Sequence, residues 1–414
     1  MKDIPDDLRI NGERLLARLS EMARIGATPK GGVSRLALTD EDKAARDLFT
    51  KWCRAAGCTV TVDQVGNIFA RRIGTQDDLA SVFLGSHLDS QPTGGRFDGV
   101  YGVLAGLEVI ETMNDRGIST KHPLEVVSWT SEEGARFSPA MVGSGVFAGV
   151  FELGYVLSRA DKDGLTLRDE LKRIGYAGEE PVGGRQVRAA FELHIEQGPI
   201  LEAEKVTIGV VSGVQGLLWY DLVIKGQEAH AGPTPMQLRR DPVAGLSSII
   251  QKIYILAEEN APHARVTFGD IKVEPGSRNT VPGRVTLAID LRHPDPQVLD
   301  SMDRELRSIV ESQCHPAGLT GKLEEVWYMP PVFFAPECIS AIRGAVEGLG
   351  LPAMDIVSGA GHDALYLSKV APTGMIFIPC RGGLSHNEGE YASPGDLIAG
   401  GNVLLRAVLE IADS

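Results

Sequence analysis

Cysteine is scarce in this 414-residue chain: the five thiols, at 53, 58, 314, 338 and 380, are odd in number and show no CxxC spacing. That argues against a disulfide framework and for a reducing compartment, so a cytoplasmic location is expected. Long hydrophobic runs are missing too, with nothing near the 18 or so apolar residues that span a bilayer. The opening Met1-Lys-Asp-Ile-Pro-Asp-Asp7 has no apolar h-region, so neither a membrane association nor a secretory signal is expected. Positive charge is in deficit, 41 Lys and Arg against 55 Asp and Glu, a net charge of −14. Such a chain repels phosphate backbones, which argues against nucleic acid as a partner. Internal repeats and low-complexity segments are absent, as are HExxH, GxSxG and the P-loop GxxxxGK(S/T). One GxGxxA match, Gly143-Ser-Gly-Val-Phe-Ala148, has Ser138-Pro139 where a dinucleotide fold needs a strand, and reads as a turn of small residues.

What is present has a globular composition, 43% hydrophobic and 23% charged, and a length that suits two domains. Glycine is abundant at 48, which implies tight turns and close backbone approaches. Helical spacing marks 7–25 behind Asp6 and Asp7, and 40–56 with Asp40 as cap and Gly57 as stop. Apolar runs at 82–85, 124–129 and 190–195 read as buried strands, with helices over about 99–116 and 165–174 between them. Helices at 336–349, 361–369 and 395–412 and a strand at 374–379 continue the alternation. The fold class expected is α/β, a mainly parallel sheet covered on both faces. From 217 to 328 the order changes to strand, helix, two strands, helix, strand, the βαββαβ of a ferredoxin-like α+β unit. The predicted organisation is a catalytic domain of 1–213 and 330–414, with an inserted domain of 214–329 entered and left through two hinge strands.

His, Asp and Glu gather at the ends of the predicted strands. His87-Leu-Asp89 follows the first, Asp98 precedes a helix in Gly94-Gly-Arg-Phe-Asp-Gly99, and Glu132-Glu133 follows the second. His194 lies on the third, in His194-Ile-Glu-Gln-Gly198, and His386 follows the last, in Ser385-His-Asn387. Parallel α/β sheets collect ligands beyond their carboxyl ends, so all of these fall at one rim. One such residue is usually structural, and paired glutamates alone are usually solvated; the set on five successive elements is not an accident of composition. Nitrogen and carboxylate without thiolate suit Zn²⁺ or similar divalent ions, and two metals sharing a carboxylate need about five protein ligands. Asp89 is placed to take the second N–H of the His87 ring, and a carboxylate beside a ligand carboxylate is placed as a general base.

The run GSHLDS…GGRFDGVYGVLAG, the EEGARF block, HIEQGP and the late SHN resemble the M20-type metal-dependent amidohydrolases over roughly 30–410. Within them they resemble the N-carbamoyl-L-amino acid hydrolase, β-ureidopropionase and allantoate amidohydrolase group. The resemblance implies one metal on His87, Asp98 and His194, a second on Asp98, Glu133 and His386, and Glu132 as catalytic base. Peptidase members commonly have a carboxylate at the position of His194, so this residue favours the carbamoyl branch. It further implies that the inserted domain is a lid that dimerises, with His230 stabilising the oxyanion in the neighbouring subunit. Asn279 and Arg292 would hold a substrate carboxylate, and Gln197, Gly359 and Gly361 make further substrate contacts. Two divalent ions per subunit are expected, Zn²⁺ first, with Mn²⁺, Co²⁺ and Ni²⁺ also suited. The implied substrate is a small N-carbamoyl amino acid with a free carboxylate, cleaved to amino acid, CO₂ and ammonia. Allantoate hydrolysis is the alternative, and a non-catalytic metal-binding scaffold a further one, disfavoured because such a module needs ligands but no Glu132.

Overall fold

The structure, a computed structural model, describes residue 5 and residues 7–414; Asp6 lies outside the described residues. The chain divides into two units, one of residues 1–212 and 334–414, the other of 213–333. Helix α1 (Gly12–Met22) begins later than Asp7, because the Asn11 side chain is its cap and accepts the Arg14 N–H at 3.1 Å. α2 (Asp40–Ala55) is capped by Thr39 rather than Asp40, which instead joins the acidic first turn and suits the helix dipole there. A hairpin that the apolar pattern does not mark follows, β1 (Thr59–Val62) and β2 (Ile68–Arg72), and then β3 (Ser81–His87). Next come α3 (Val100–Asp115), β4 (Leu124–Trp129), the short helices α4 (Val142–Phe147), α5 (Leu153–Leu157) and α6 (Leu167–Ile174), and β5 (Val187–Ile195). α4 holds the GxGxxA residues as a buried turn of small side chains, its Gly143 carbonyl accepting from Asn67. α7 (Ile200–Glu204) and β6 (Ile208–Val214) lead towards the second unit.

That unit carries β7 (Gly216–Lys225), β8 (Ala229–His230), α8 (Pro242–Glu259), β9 (Arg265–Glu274) and β10 (Thr280–Val281). β11 (Arg284–His293), α9 (Pro296–Cys314) and β12 (Thr320–Met329) complete its main sheet, antiparallel throughout in the order β12-β7-β11-β9. This is the split βαβ arrangement expected of a ferredoxin-like unit. Along β11, Val285, Leu287, Ile289 and Leu291 are buried with α8 and α9, which leaves Asp290 and Arg292 on the opposite face. The chain returns through β13 (Val332–Phe333), α10 (Pro336–Leu349), β14 (Ala353–Ser358), α11 (Asp363–Leu367), β15 (Thr373–Ile378) and α12 (Pro394–Ala412).

The centre of the large sheet is parallel, in the order β4-β3-β5-β15, and its flanking strands are antiparallel. Its central strands read as near-continuous buried apolar runs because helices cover both faces. Val82 and Leu84 join the core with α3 and α12, whereas Phe83, Val127 and Trp129 pack on the other face with Phe147 and Leu367. Each such side chain contributes about 1.5–3 kcal/mol on burial. Among the described residues no helix is long and apolar enough to cross a membrane.

Candidate metal centre

β3 and β5 run parallel and adjacent, so their carboxyl ends bring His87 and His194 to one rim, with ring centroids 6.1 Å apart. Asp98 reaches them from the loop before α3. The next residue must be glycine: Gly99 has φ +67, and a Cβ there would stand 2.4 Å from the His87 ring. Nδ1 of His87 is 2.9 Å from the main-chain oxygen of Asp89, and Nδ1 of His194 is 2.9 Å from that of Ile195. A carbonyl only accepts, so both Nδ1 atoms carry a proton and each Nε2 can present a lone pair. These Nε2 atoms lie 3.9 and 3.1 Å from Oδ1 of Asp98.

The other oxygen of Asp98 faces a second group. Nε2 of His386 is 3.5 Å from Asp98 Oδ2 and 3.3 Å from Glu133 Oε2. His386 adopts φ +52, a left-handed backbone that costs a non-glycine residue on the order of 1–3 kcal/mol and is common at functional sites. Gln91 grips Glu133, its N–H donating to Oε1 at 3.1 Å and its side-chain amide to Oε2 at 2.8 Å. Two donor groups, His87–Asp98–His194 and Asp98–Glu133–His386, thus share one carboxylate. In a tetrahedral shell with bonds of about 2.0–2.1 Å, ligand atoms sit roughly 3.3–3.4 Å apart. The separations of 3.1 to 3.9 Å bracket that value. With nitrogen and oxygen donors only, the residues present fit a divalent ion of the zinc type in each group.

The electrostatics follow from the same contacts. Burial opposes charging His194, but its hydrogen bond to Asp98 and the charge of that carboxylate outweigh it and raise the imidazole to about 9. His386 is raised to about 8, chiefly by its hydrogen bond to Glu133. Burial also works against an ionised Asp98, yet His194, His87 and His386 together hold it far below the usual carboxylate range. Glu132 has Oε2 3.5 Å from Nε2 of His87. Burial, then the charges of Asp363, Glu133 and Asp89, push its carboxyl well above the usual range, a direction that suits a proton acceptor.

Asp89 departs from expectation. Its main-chain carbonyl orients His87, while its carboxylate stands 3.9 Å from that ring nitrogen. The carboxylate instead accepts the N–H of Glu132 at 3.2 Å and of Glu133 at 3.3 Å, and so sets those two residues in register. Gln197 lies against the shared carboxylate, donating to Asp98 Oδ2 at 3.0 Å. Gly359 and Gly361 sit between β14 and α11, where a Cβ on Gly361 would come 3.1 Å from the Met141 methyl.

The remaining candidates belong to the second unit. His230 pairs with Thr280 across β8 and β10, and the Ala231 N–H donates to the Asn279 carbonyl at 2.8 Å, so His230 and Asn279 are neighbours. Nδ1 of the exposed His230 accepts the Gly232 N–H at 3.1 Å, which leaves Nε2 as the protonated, donating nitrogen. Arg292 is oriented along β11 by Asp290, with Nε 3.0 Å from both carboxylate oxygens.

Glu192 and His362, both buried beside these donor groups, are among the residues that escaped the sequence reading. Glu192 lies two residues before His194 on the same face of β5, its oxygens taking the Ser86 hydroxyl at 2.7 Å and the Ala364 N–H at 2.8 Å. Spacing of two on a strand is the signal that could have found it. His362 packs 4.5 Å from His194, centroid to centroid.

Residues 83–410 match peptidase family M20/M25/M40. The chain belongs to this family. This M20 protein is 49% identical over 408 residues to the N-carbamoyl-L-amino-acid amidohydrolase of Rhizobium meliloti, covering 99% of its own length and 98% of the relative's. It is 40% identical over 410 residues to the N-carbamoyl-L-amino acid amidohydrolase of Geobacillus stearothermophilus, with 97% and 99% covered. The allantoate amidohydrolase of Bacillus subtilis (strain 168) is 34% identical over 394 residues, with 94% and 95% covered. A crystal structure of an amidase of the hydantoinase/carbamoylase family from Burkholderia multivorans superposes with a TM-score of 0.96 at 58% identity, covering 98% of this chain and 99% of that one. The M20 protein is therefore a hydrolase, and the scaffold reading is set aside.

Proposed function

We propose that this hydrolase cleaves the carbamoyl C–N bond of N-carbamoyl-L-amino acids with two divalent ions per subunit. One arrangement supports the reading: Asp98 offers an oxygen to each of two histidine-containing donor groups, with Glu132 beside them. The ions, when bound, polarise the ureido carbonyl and lower the pKa of water from about 15.7 towards 7. Glu132 takes the proton of the attacking water and returns it to the departing nitrogen. Gln91 and Asp89 keep Glu133 and Glu132 apart in their two roles. His230, with its donating Nε2, is the oxyanion partner on this reading. Arg292 pairs its planar fork with the substrate carboxylate, Asn279 supplies an amide, and Gln197, Gly359 and Gly361 complete the contacts. Residues 213–333 serve as lid and dimerisation unit in the same proposal; β9 and β12 give its sheet two edges, and Trp219 and Trp327 are partly exposed on it.

The Bacillus subtilis relative favours a second reading, hydrolysis of allantoate. A substrate panel decides between them. The metal-loaded enzyme is given N-carbamoyl-L- and D-amino acids, N-carbamoyl-β-alanine, allantoate, an N-acetyl amino acid and a dipeptide, and ammonia is followed together with the released amine. The L-carbamoyl substrates are expected to be hydrolysed fastest. Preferential turnover of allantoate would favour the second reading, and turnover of only the dipeptide would overturn both.

A further inference from the structure

We infer that Glu390 is a positioning residue that ties the shared ligand Asp98 to the loop carrying His386, so that the second donor group is assembled before an ion arrives. The inference rests on the two-ion reading above. Glu390 is buried, 2% exposed, in a loop closed by the Arg381 N–H donating to the Tyr391 carbonyl at 2.8 Å. Its Oε1 accepts two successive amides, those of Phe97 at 2.9 Å and Asp98 at 3.2 Å. Its Oε2 is 2.9 Å from the hydroxyl of Ser385, the neighbour of His386.

The same hydroxyl lies 3.1 Å from Asp98 Oδ2, but a serine has one proton to give. Gln197 resolves the competition, donating to that Asp98 oxygen at 3.0 Å, so Ser385 is able to serve Glu390. Glu390 thus fixes the backbone of one metal-binding loop and the side chain beside the ligand of another. His87 and His194 are anchored elsewhere, on the carbonyls of Asp89 and Ile195. Gly95 makes room for this arrangement: a Cβ there would stand 1.9 Å from the Glu390 carboxyl carbon. A second buried carboxylate close to Asp98 is unfavourable by itself, and the two amides and the hydroxyl are what offset it.

The test titrates the metal-free protein with Co²⁺, using calorimetry and the visible absorption of the bound ion, in wild type, Glu390→Ala, Glu390→Gln, Gly95→Ala and the double variant Gly95→Ala/Glu390→Ala. Loss of a hydrogen-bond partner behind a ligand typically costs 10–100-fold in metal affinity. Glu390→Ala should show that loss at the second ion and much less at the first. Glu390→Gln should restore binding, since its carbonyl accepts both amides and its NH₂ donates to Ser385, whose proton then turns to Asp98. A residue that merely fills space would not be rescued in this way. Gly95→Ala, which displaces the carboxylate without removing it, should reproduce the Glu390→Ala defect, and the double variant should be no worse than Glu390→Ala alone. Gly95→Ala keeps the test open should Glu390→Ala fail to fold. Wild-type affinity for both ions in folded Glu390→Ala, failure of Glu390→Gln to rescue, or losses that multiply in the double variant would each overturn the inference. A wild type that takes up one ion or none would instead overturn the two-ion reading, and this inference with it.

Discussion

Loading the metal-free protein with two divalent ions at pH 7 should release close to two protons. His194 is held at about 9 and His386 at about 8, so both imidazoles begin protonated. Both values lie above 7, so at that pH the charged form predominates on each ring and up to two protons are held between them. A metal takes neutral imidazole, so these protons must leave. Asp98 is already ionised and contributes none. Glu390, pushed up to about 7 by burial and then by the charge of Asp98, adds to the count where ion binding draws off its proton. The sign follows: both histidines are raised above their ordinary value, so protons compete with metal and affinity climbs with pH. The overall constant for binding both ions should climb by up to a hundredfold per pH unit near 7, which is up to tenfold for each ion, then by about tenfold per unit between 8 and 9, and level off above about 9. In the metal-free chain the same shifts stabilise the fold fully below about pH 6.5, and that stabilisation fades as pH rises through 8 and 9. Calorimetric titration with Zn²⁺ in two buffers of different ionisation enthalpy counts the protons directly. Fewer than one proton released, or an affinity indifferent to pH between about 6 and 8, would refute the assignment of these two imidazoles as ligands.

Asp98→Ala should disturb both ions whereas His386→Ala should chiefly empty one, read by metal analysis of the dialysed proteins. Glu132→Gln should retain its metals while kcat falls by about 10²–10⁴, the usual cost of losing a general base; near-normal turnover would leave Glu132 without that role. Arg292→Lys keeps the charge but loses the fork, so kcat/KM for a carbamoyl amino acid should fall far more than for the corresponding amide. Inactive Glu132→Ala and His230→Ala proteins, mixed and re-associated in equal amounts, should recover about a quarter of their sites if each site draws His230 from the other subunit.

The parts of the fold legible from sequence are those where burial alone dictates the pattern. The run 336–349 is helical as read, because an amphipathic stripe lies between Pro336 and Gly350. The strands that carry His87 and His194 were visible as apolar runs because helices cover both of their faces. The hairpin of β1 and β2 was not, since Thr59–Val62 is never fully buried and has no run to show. Caps were misplaced by one residue where two candidates adjoin: Thr39 and Asp40 both accept hydrogen bonds, and only the backbone turn decides between them. Within the candidate site, the gathering of His87, Asp98, Glu133, His194 and His386 at one rim could be read from their chemistry at strand ends. The part played by Asp89 could not, because a residue offers two kinds of acceptor and sequence does not say whether carbonyl or carboxylate meets the ring. Glu390 was equally opaque, for nothing in Asn387-Glu-Gly-Glu390 distinguishes the fully buried carboxylate from the partly buried one two residues earlier.

The main-chain anchors of His87 and His194 bear on how this protein can vary. A carbonyl oxygen belongs to every residue, so no replacement of the side chain at 89 or 195 deletes the atom that fixes the tautomer of either ring. The orientation of the two rings is thereby insulated from point substitution and exposed to changes of backbone path. A one-residue deletion between His87 and Ser90, or a proline that bends the end of β5, should turn the imidazoles away while every ligand remains in the sequence. Variants of this kind would keep the signature residues and lose the metal, so an intact motif in a relative vouches for the ligands but not for the loop that aims them.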